Sequence, residues 1–184
     1  MLESCENSPI IHLEYFVQQA QDLEGLVLEF GVATGGTLSR IATTLPNRTV
    51  YGFDWFKGLP EDWTNGYNAG HFACEKPTGL PENAVIVDGL FKKTVPGFIK
   101  EHKEEKVAFM HIDCDIYSSA KYVLDKFEKK FQDGSIIVFD ELIKYNNYEQ
   151  HEWKAWNEFL EKTKYKYEVL GRAHIESVAF RIYK

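Results

Sequence analysis

Short apolar runs alternate with amphipathic stretches along this chain. Residues 26–30 and 107–112 are almost continuously apolar, as expected of strands that are buried on both faces of a sheet. Elsewhere apolar residues recur at spacings of three and four, as at Leu13, Phe16 and Val17, which indicates a helix with one buried face. The chain therefore reads as a succession of strands and helices.

The full pattern predicts an α/β fold. The predicted strands lie at residues 26–30, 50–53, 84–87, 107–112, 135–139, 167–170 and 177–182. The predicted helices lie at residues 13–20, 37–45, 95–102, 120–131 and 153–160. We expect a mostly parallel seven-stranded sheet with helices on both faces. The 184 residues suit a single domain over 1–184, with an N-terminal helix inside 1–24.

The pattern fails between residues 55 and 83. Gly, Pro, Asn, Trp and Phe crowd this segment, as in Gly58-Leu59-Pro60. Long irregular segments inside a compact domain usually cover or line a binding site. We therefore predict that the 55–83 segment is a substrate lid.

The charge of the chain bears on its partners. The formal net charge is −7, from 21 Lys and Arg against 28 Asp and Glu. The Lys-rich second half is interleaved with Glu, which is typical of solvated helix faces. An acidic chain lacks the basic surface that binds nucleic acid. A small molecule is therefore the expected partner, and a homodimer is one option for the oligomeric state.

The cysteines and the N-terminus bear on the compartment. Cys5, Cys74 and Cys114 form no Cys-x-x-Cys pair, which favours a reducing environment. The acidic N-terminus is not followed by an apolar run, so no signal peptide is predicted. No stretch approaches the ~20 apolar residues of a membrane helix. We expect a cytoplasmic protein that does not bind membranes.

Two features at strand ends suggest a nucleoside site. Glycines at 31, 35 and 36 follow the first strand, where they let the backbone turn sharply and approach a ligand. The loop lacks the Gly-Lys-Ser/Thr of a phosphate-binding loop, and Ala33 and Thr34 depart from Gly-x-Gly-x-x-Gly. Asp54 ends the next strand, where an acid can accept hydrogen bonds from a ribose diol. The alternative for Asp54 is a loop cap.

Acids follow two further strands. Asp113 ends one predicted strand, and Asp140 and Glu141 end another. Carboxylates that converge without basic partners favour a bound cation, and oxygen ligands favour Mg²⁺ over zinc. The alternative is that one acid caps the next helix, for which Asp115 is the better candidate. Asp88 and Gly89 end the third strand, where they fit either a ligand contact or a tight turn.

Five segments together resemble a known family. In chain order the sequence resembles the class I S-adenosylmethionine methyltransferases of the macrocin O-methyltransferase (TylF-like) group, which have a Rossmann-like fold. The segments that carry the resemblance are LEFG (28–31), GFDWFKGLP (52–60), DGLF (88–91), HIDCDIYSS (111–119) and VFDE (138–141).

The resemblance implies a set of residues for S-adenosylmethionine. Asp54 would hold the ribose, and Asp88 with Gly89 would contact the adenine edge. Trp55 and Phe56 would flank the adenine ring. Asp113 also belongs to the implied cofactor site. The residues implied around the methionine part are Glu29, Gly31, Val32, Ala33, Thr34, Gly35 and Thr37.

The resemblance also implies that Asp113, Asp140 and Glu141 hold Mg²⁺, although Glu141 departs from the usual Asp-Asp or Asp-Asn pair. A cation can lower the pKa of a substrate hydroxyl, and a general base can take its proton. Loops at strand ends often carry function, so His71 is the predicted base, with Asp113 as the second catalytic residue. His111 is interpreted as a buried core histidine.

The predicted activity is Mg²⁺-assisted O-methylation of a hydroxyl on a sugar or another small metabolite. Two alternatives stay open. Asp113-x-Asp115 could hold Mn²⁺ on the diphosphate of a nucleotide-sugar transferase substrate, although 184 residues are few for that fold. The chain could also be a nucleoside-binding domain without catalysis.

Overall fold

The computed structural model of the chain describes residues 1–64 and 66–184. A seven-stranded sheet lies at the centre, with helices packed on both faces. The helices are α1 (Leu2–Glu6), α2 (Leu13–Gln18), α3 (Gly36–Thr44), α4 (Phe91–Glu101), α5 (Tyr117–Phe127) and α6 (Glu152–Thr163), with a 3₁₀ turn at Tyr148–Gln150. The strands are β1 (Leu26–Phe30), β2 (Val50–Asp54), β3 (Ala84–Asp88), β4 (Val107–Ile112), β5 (Phe131–Phe139), β6 (Lys166–Gly171) and β7 (Val178–Tyr183).

The order of the strands sets where a ligand can bind. It is β3-β2-β1-β4-β5-β7-β6. β1 to β5 are parallel, and β7 is antiparallel to β5 and β6, so the predicted mostly parallel sheet is confirmed. The order reverses between β1 and β4. In sheets of this kind, ligands bind beyond the carboxyl ends of the strands at such a reversal.

Each face of the sheet is covered by its own apolar cluster. On one face Phe30 stacks on Phe53 with ring centroids 4.6 Å apart, beneath α4, α5 and α6. On the other face Phe109 packs with residues of α2 and α3. Burying each large apolar side chain contributes roughly 1.5–3 kcal/mol to folding. Because β1 and β4 are buried along their whole length, their carboxyl ends are firmly held.

β5 starts earlier than the sequence pattern predicts. The spacing of apolar residues after residue 120 predicts a helix that ends at Phe131. That prediction is wrong, because α5 ends at Phe127 and Phe131 begins β5. Phe131 instead pairs with Val107 of β4, and an irregularity in register follows. There the backbone of Gly134 has a φ of +90°, and the Gln132 N–H donates to Ser135 Oγ at 2.9 Å. A bulge thus separates the two parts of the strand.

α4 also starts earlier than predicted, at Phe91 rather than at residue 95. The N–H groups of Lys93 and Thr94 donate to the Leu90 carbonyl at 2.8 and 3.1 Å, which forms the first turn. Pro96 lies inside the helix. Polar residues in the first turn and this proline mask the helical periodicity in the sequence.

Two segments outside the sheet were singled out from the sequence. Residues 1–24 contain two short helices, α1 and α2. Apart from residue 65, which lies outside the description, the 55–83 segment contains neither helix nor strand. It folds back on itself, since the Leu59 N–H donates to His71 O at 2.9 Å and the Gly70 N–H donates to Leu59 O at 2.8 Å. Within the described residues, no helix has the length and apolar character needed to cross a membrane.

Candidate active site

A cavity of about 430 Å³ lies at the carboxyl edge of the sheet. The loop after β1 contributes Gly31 and Ala33, and the end of β2 contributes Asp54. Acids that follow β4 and β5 form another wall. The 55–83 segment lines part of the cavity with Leu59, Pro60, Glu61 and Phe72. The cavity therefore lies at the reversal in strand order, where the fold predicts a ligand.

The turn after β1 depends on Gly31. Its φ is +96°, and a Cβ atom there would lie 1.7 Å from the Asp113 carbonyl oxygen. The Gly31 N–H donates to Phe53 O at 3.0 Å, and the Asp113 N–H donates to Phe30 O at 2.9 Å. Only glycine permits this close crossing of the two chain segments. The turn brings the loop before α3 to the cavity.

Asp54 fastens that loop to the end of β2. Its Oδ2 accepts the N–H groups of Val32 and Ala33, each at 2.8 Å, and its Oδ1 accepts the Phe56 N–H at 2.8 Å. A carboxylate has about four lone-pair positions. Asp54 also lines the cavity, so it can accept further hydrogen bonds from a ligand while it orders the loop. The geometry is compatible with the predicted ribose contact and with the alternative role as a loop cap.

The implied cofactor residues divide into two groups. Those that line the cavity are Gly31, Ala33, Asp54, Trp55, Gly89 and Asp113. The others lie around it: Val32 and Phe56 pack in or against the apolar cluster of α2 and α3, and Asp88 lies 3.4 Å from Lys76 Nζ. Glu29 is fully buried, Thr34 is exposed, and Gly35 and Thr37 belong to the start of α3.

Three carboxylates meet at the cavity wall. One oxygen each from Asp113, Asp115 and Glu141 lies within 4.8 Å of the others. Burial, followed by the charge of Asp113, raises the pKa of Glu141 to about 12. Burial, followed by the charge of Asp140, raises the pKa of Asp115 to about 7. We call Asp113, Asp115 and Glu141 the acid cluster.

The acid cluster fits a cation. Glu141 Oε2 is buried and has no hydrogen-bond partner among the described residues. Buried carboxylates are costly unless paired or bound to a metal. An all-oxygen set suits Mg²⁺ or Ca²⁺ better than zinc.

Asp140, one of the three predicted metal ligands, lies beside two histidines. Its Oδ1 is 3.4 Å from His111 Nε2 and 3.2 Å from His174 Nε2. Burial opposes the shift, yet the two histidines lower the pKa of Asp140 below its ordinary range. The charge of Asp140 is thus balanced by imidazoles, and Asp115 takes its place beside Asp113 and Glu141.

His111 is buried, as interpreted from the sequence, and it bridges two acids. Its Nδ1 lies 3.0 Å from Glu29 Oε1, and both side chains are fully buried. Burial lowers the pKa of His111, but Asp140 and Glu29 outweigh that effect and raise it well above its usual value. This chain of acids and imidazoles accounts for the polar residues near the carboxyl ends of β1 and β4.

Two further predictions concern Asp115 and His71. Asp115 does not cap α5, because Ile116 holds the cap position and no side-chain cap hydrogen bond forms. His71 is exposed and makes edge contacts with Tyr67 and Phe72, at centroid distances of 4.8 and 4.5 Å. Of these two aromatic residues, Phe72 lines the cavity. The structure thus brings Asp113 to the cavity wall, whereas His71 is exposed and is not one of the residues that line the cavity.

Sequence reasoning missed several residues around this site. His174 lies beside Asp140, and Glu152 Oε1 accepts the Cys114 N–H at 3.4 Å. These two residues come from separate parts of the chain, and no spacing in the sequence connects them. Asp115 had a usable signal, since the Asp-x-Asp pattern directly after a buried strand places both acids at the same edge of the sheet.

Several solved structures with a similar fold are methyltransferases. CalS11, a calicheamicin methyltransferase, is 26% identical with a TM-score of 0.75, over 91% of this chain and 76% of that one. The O-methyltransferase NovP is 21% identical with a TM-score of 0.67, over 94% of this chain and 79% of that one. MycE, a mycinamycin-pathway methyltransferase in complex with Mg and SAH, is 10% identical with a TM-score of 0.60, over 93% of this chain and 48% of that one.

The chain matches a protein family but none of the curated proteins. A family described as "Methyltransferase domain" matches residues 28–142, which include the loop after β1, Asp54 and the acid cluster. The match covers more than half of the chain. The protein therefore belongs to this methyltransferase-domain family, and its sheet has the Rossmann-like fold of class I methyltransferases.

Proposed function

We propose that the protein is an S-adenosylmethionine-dependent O-methyltransferase of the TylF-like group that methylates a hydroxyl of a sugar or another small metabolite with the help of Mg²⁺. The observation that carries the proposal is the acid cluster, which faces the same cavity as Gly31 and Asp54. A nucleoside site and a hydroxyl-activating site on one cavity are what such a reaction needs.

The cofactor would occupy the side of the cavity formed by Gly31, Ala33, Asp54, Trp55 and Gly89. Methyl transfer is an in-line displacement at a sulfonium carbon, so rate enhancement depends mainly on positioning. Asp54 helps to fix that geometry, because its carboxylate accepts three backbone N–H groups from the loop after β1 and from Phe56. MycE in complex with SAH has the same fold, which supports this cofactor.

Mg²⁺ would be held by Asp113, Asp115 and Glu141, where it would lower the pKa of the acceptor hydroxyl. The Mg complex of MycE supports this part of the proposal. Asp140 would act as a neighbour of the site that His111 and His174 hold in place. Asp113 and His71 stay the predicted catalytic residues, of which Asp113 lines the cavity.

The acceptor would enter beneath the 55–83 segment, the proposed lid of a single-domain enzyme. Leu59, Pro60 and Phe72 give that side of the cavity an apolar wall. A CalS11 structure at 25% identity is described as a TDP-rhamnose 3'-O-methyltransferase, which supports a sugar hydroxyl as the acceptor here. The acidic charge of the chain favours such a small molecule over nucleic acid.

Thermal unfolding with added ligands tests the proposal. S-adenosylhomocysteine is expected to raise the Tm, because it binds only the folded protein. UDP-sugars with Mn²⁺ are expected to leave the Tm unchanged. The reverse pattern would contradict the proposal and favour the nucleotide-sugar transferase alternative. Stabilisation by S-adenosylhomocysteine without methyl transfer to sugar nucleotides or to other hydroxylated small metabolites would favour a noncatalytic nucleoside-binding domain.

A further inference from the structure

The backbone between β4 and α5 makes an unusual turn at Cys114–Ile116. The Ile116 N–H donates to Cys114 O at 2.6 Å, and Asp115 between them has a φ of +62°. A hydrogen bond across three residues with a positive φ at the central one is characteristic of the classic γ-turn, which is rare and strained. Strained conformations persist only where the surrounding structure enforces them, and they cluster at active sites and ligand clamps. The contacts that hold this turn therefore bear on function.

Backbone hydrogen bonds hold the chain on either side of the turn. The Asp113 N–H donates to Phe30 O at 2.9 Å, which ties the start of the turn to the end of β1. The Ala120 N–H donates to Ile116 O at 3.1 Å, which ties its end to the first turn of α5. These two contacts leave the first N–H of the turn, that of Cys114, to a side chain.

That side chain is Glu152, the first residue of α6. Its Oε1 accepts the Cys114 N–H at 3.4 Å and lies 3.7 Å from Cys114 Sγ. Glu152 is 0% exposed and does not line the cavity, whereas Asp113 and Asp115 do. Glu152 thus contacts the turn from behind the cavity wall, between the two acids that belong to the acid cluster.

The position of Glu152 is unfavourable for a carboxyl group. Its Oε2 is buried without a hydrogen-bond partner in the part of the chain that the structure describes. Burial, followed by the charges of Asp115 and Asp113, raises the pKa of Glu152 well above its ordinary value. Replacing buried charged groups by apolar ones of similar volume is often neutral or stabilising. Glu152 is therefore better explained by the turn that it holds than by a contribution to stability.

We propose that Glu152 is a positioning residue, which holds the Cys114–Ile116 turn so that Asp113 and Asp115 present their carboxylates to one cation. This inference rests on the Mg²⁺ part of the proposed function. It assigns Glu152 no contact with the cation or the substrate. Side chains that orient metal ligands typically change metal affinity 10–100-fold when they are replaced.

The test compares Glu152→Met with Glu152→Gln. Methionine has a similar length but offers no oxygen to the Cys114 N–H, whereas glutamine keeps one. Titration calorimetry measures the Kd of Mg²⁺ for the protein with bound S-adenosylhomocysteine. Glu152→Met is expected to raise that Kd about tenfold or more, and Glu152→Gln is expected to retain most of the affinity. The affinity for S-adenosylhomocysteine is expected to stay unchanged in both variants.

The matched control is Glu158→Met, also in α6. Glu158 Oε2 accepts the Tyr117 hydroxyl of α5 at 2.8 Å, so this side chain joins the same two elements away from the turn. The control is expected to lower the Tm, because it breaks a formed hydrogen bond, and to leave the Kd of Mg²⁺ unchanged. In Glu152→Met, loss of an unfavourable carboxyl opposes loss of the acceptor for Cys114, so little change in Tm is expected.

Two results would overturn the inference. One is a lower Tm in Glu152→Met with an unchanged Kd of Mg²⁺, which would give Glu152 the structural role of the control. The other is an equal loss of Mg²⁺ affinity in Glu152→Met and Glu152→Gln, since the oxygen that accepts the Cys114 N–H would then be irrelevant.

If Glu152→Met does not fold, Glu152→Asp carries the same test, because its carboxylate is one methylene further from Cys114. It is expected to weaken Mg²⁺ binding, and an unchanged Kd would overturn the inference. Failure of the proposed function is distinguishable from these results. An unaltered protein that binds no Mg²⁺ would overturn both the inference and the metal part of that function, whereas Mg²⁺ binding that does not depend on Glu152 would overturn the inference alone.

Discussion

At the scale of single residues, Asp54 has a geometry that is compatible with both of the roles that the sequence presents as alternatives. It accepts three backbone N–H groups and still lines the cavity. Hydrogen bonds to a charged group contribute about 1.5–3 kcal/mol each. Asp54 therefore orders the loop after β1 and keeps its carboxylate at the cavity, where we propose that it accepts hydrogen bonds from the ribose.

Asp54→Ala is expected to weaken S-adenosylhomocysteine binding at least about tenfold, because both the ligand contact and the order of the loop are lost. Titration calorimetry measures the affinity, and the Tm should fall as well. Asp22→Ala removes an exposed acid that lies before the amino end of β1, at the opposite end of the strand from the loop, and is expected to change neither. Equal affinities for Asp54→Ala and the unaltered protein would rule out the ribose assignment.

At the scale of secondary-structure elements, the turn from β1 into α3 depends on a single glycine. Gly31→Ala is expected to destabilise the protein by more than about 3 kcal/mol, since its Cβ would lie 1.7 Å from the Asp113 carbonyl oxygen. Urea unfolding measures the loss. Gly36→Ala is the control, because a Cβ there has nothing within 4 Å and Gly36 begins α3. It is expected to be neutral or to stabilise by about 0.5–1 kcal/mol. Similar losses in both variants would contradict this account.

The elements that the sequence predicts best are those whose signal is local. β1 and β4 lie at their predicted residues because a strand buried on both faces is apolar throughout. Phe131 was misplaced because its partner is Val107, a contact across the sheet that the helical spacing of nearby residues hides. The start of α4 was missed for a local reason, since polar residues fill its first turn.

In the candidate site, too, features with a local signal can be predicted from the sequence, and features that depend on tertiary contacts cannot. Acids at strand ends can be predicted, since the carboxyl ends of parallel strands share one edge of a sheet. Which acids meet there depends on tertiary neighbours: His174, from the link between β6 and β7, lies beside Asp140 and leaves Asp115 in the acid cluster. The contact between the Trp63 and Tyr145 rings, whose centroids are 5.4 Å apart, depends on the packing of the 55–83 segment and leaves no pattern in the sequence.

At the scale of the whole molecule, the chain is acidic, with a net charge of −7, and three of its acids meet at the cavity. Mg²⁺ is expected to raise the Tm, and more so at pH 8 than at pH 6. A cation binds ionised carboxylates, so protons compete with it for the ligands. The pKa of Asp115 is raised to about 7 and that of Glu141 to about 12. This competition therefore weakens as the pH rises from 6 to 8. Differential scanning fluorimetry with and without Mg²⁺ measures the effect.

Glu141→Gln is expected to reduce that stabilisation by Mg²⁺, because it removes one of the three ligands. Glu149→Gln alters an exposed acid and is expected to preserve it. The absence of any Mg²⁺ effect at either pH would remove the cation from the proposed function and leave the cofactor assignment standing.

The placement of β7 between β5 and β6 has a consequence for synthesis on the ribosome. β6 is made before β7 but contacts the sheet only through it, since β6 pairs with β7 alone among the described strands. Until residues 178–183 leave the ribosome, the apolar edge of β5 at Ile137, Val138 and Phe139 stays unpaired. Unpaired apolar edges recruit other chains. A chain stopped between β6 and β7 would therefore be a substrate for chaperones, although every residue around the cavity had already been translated.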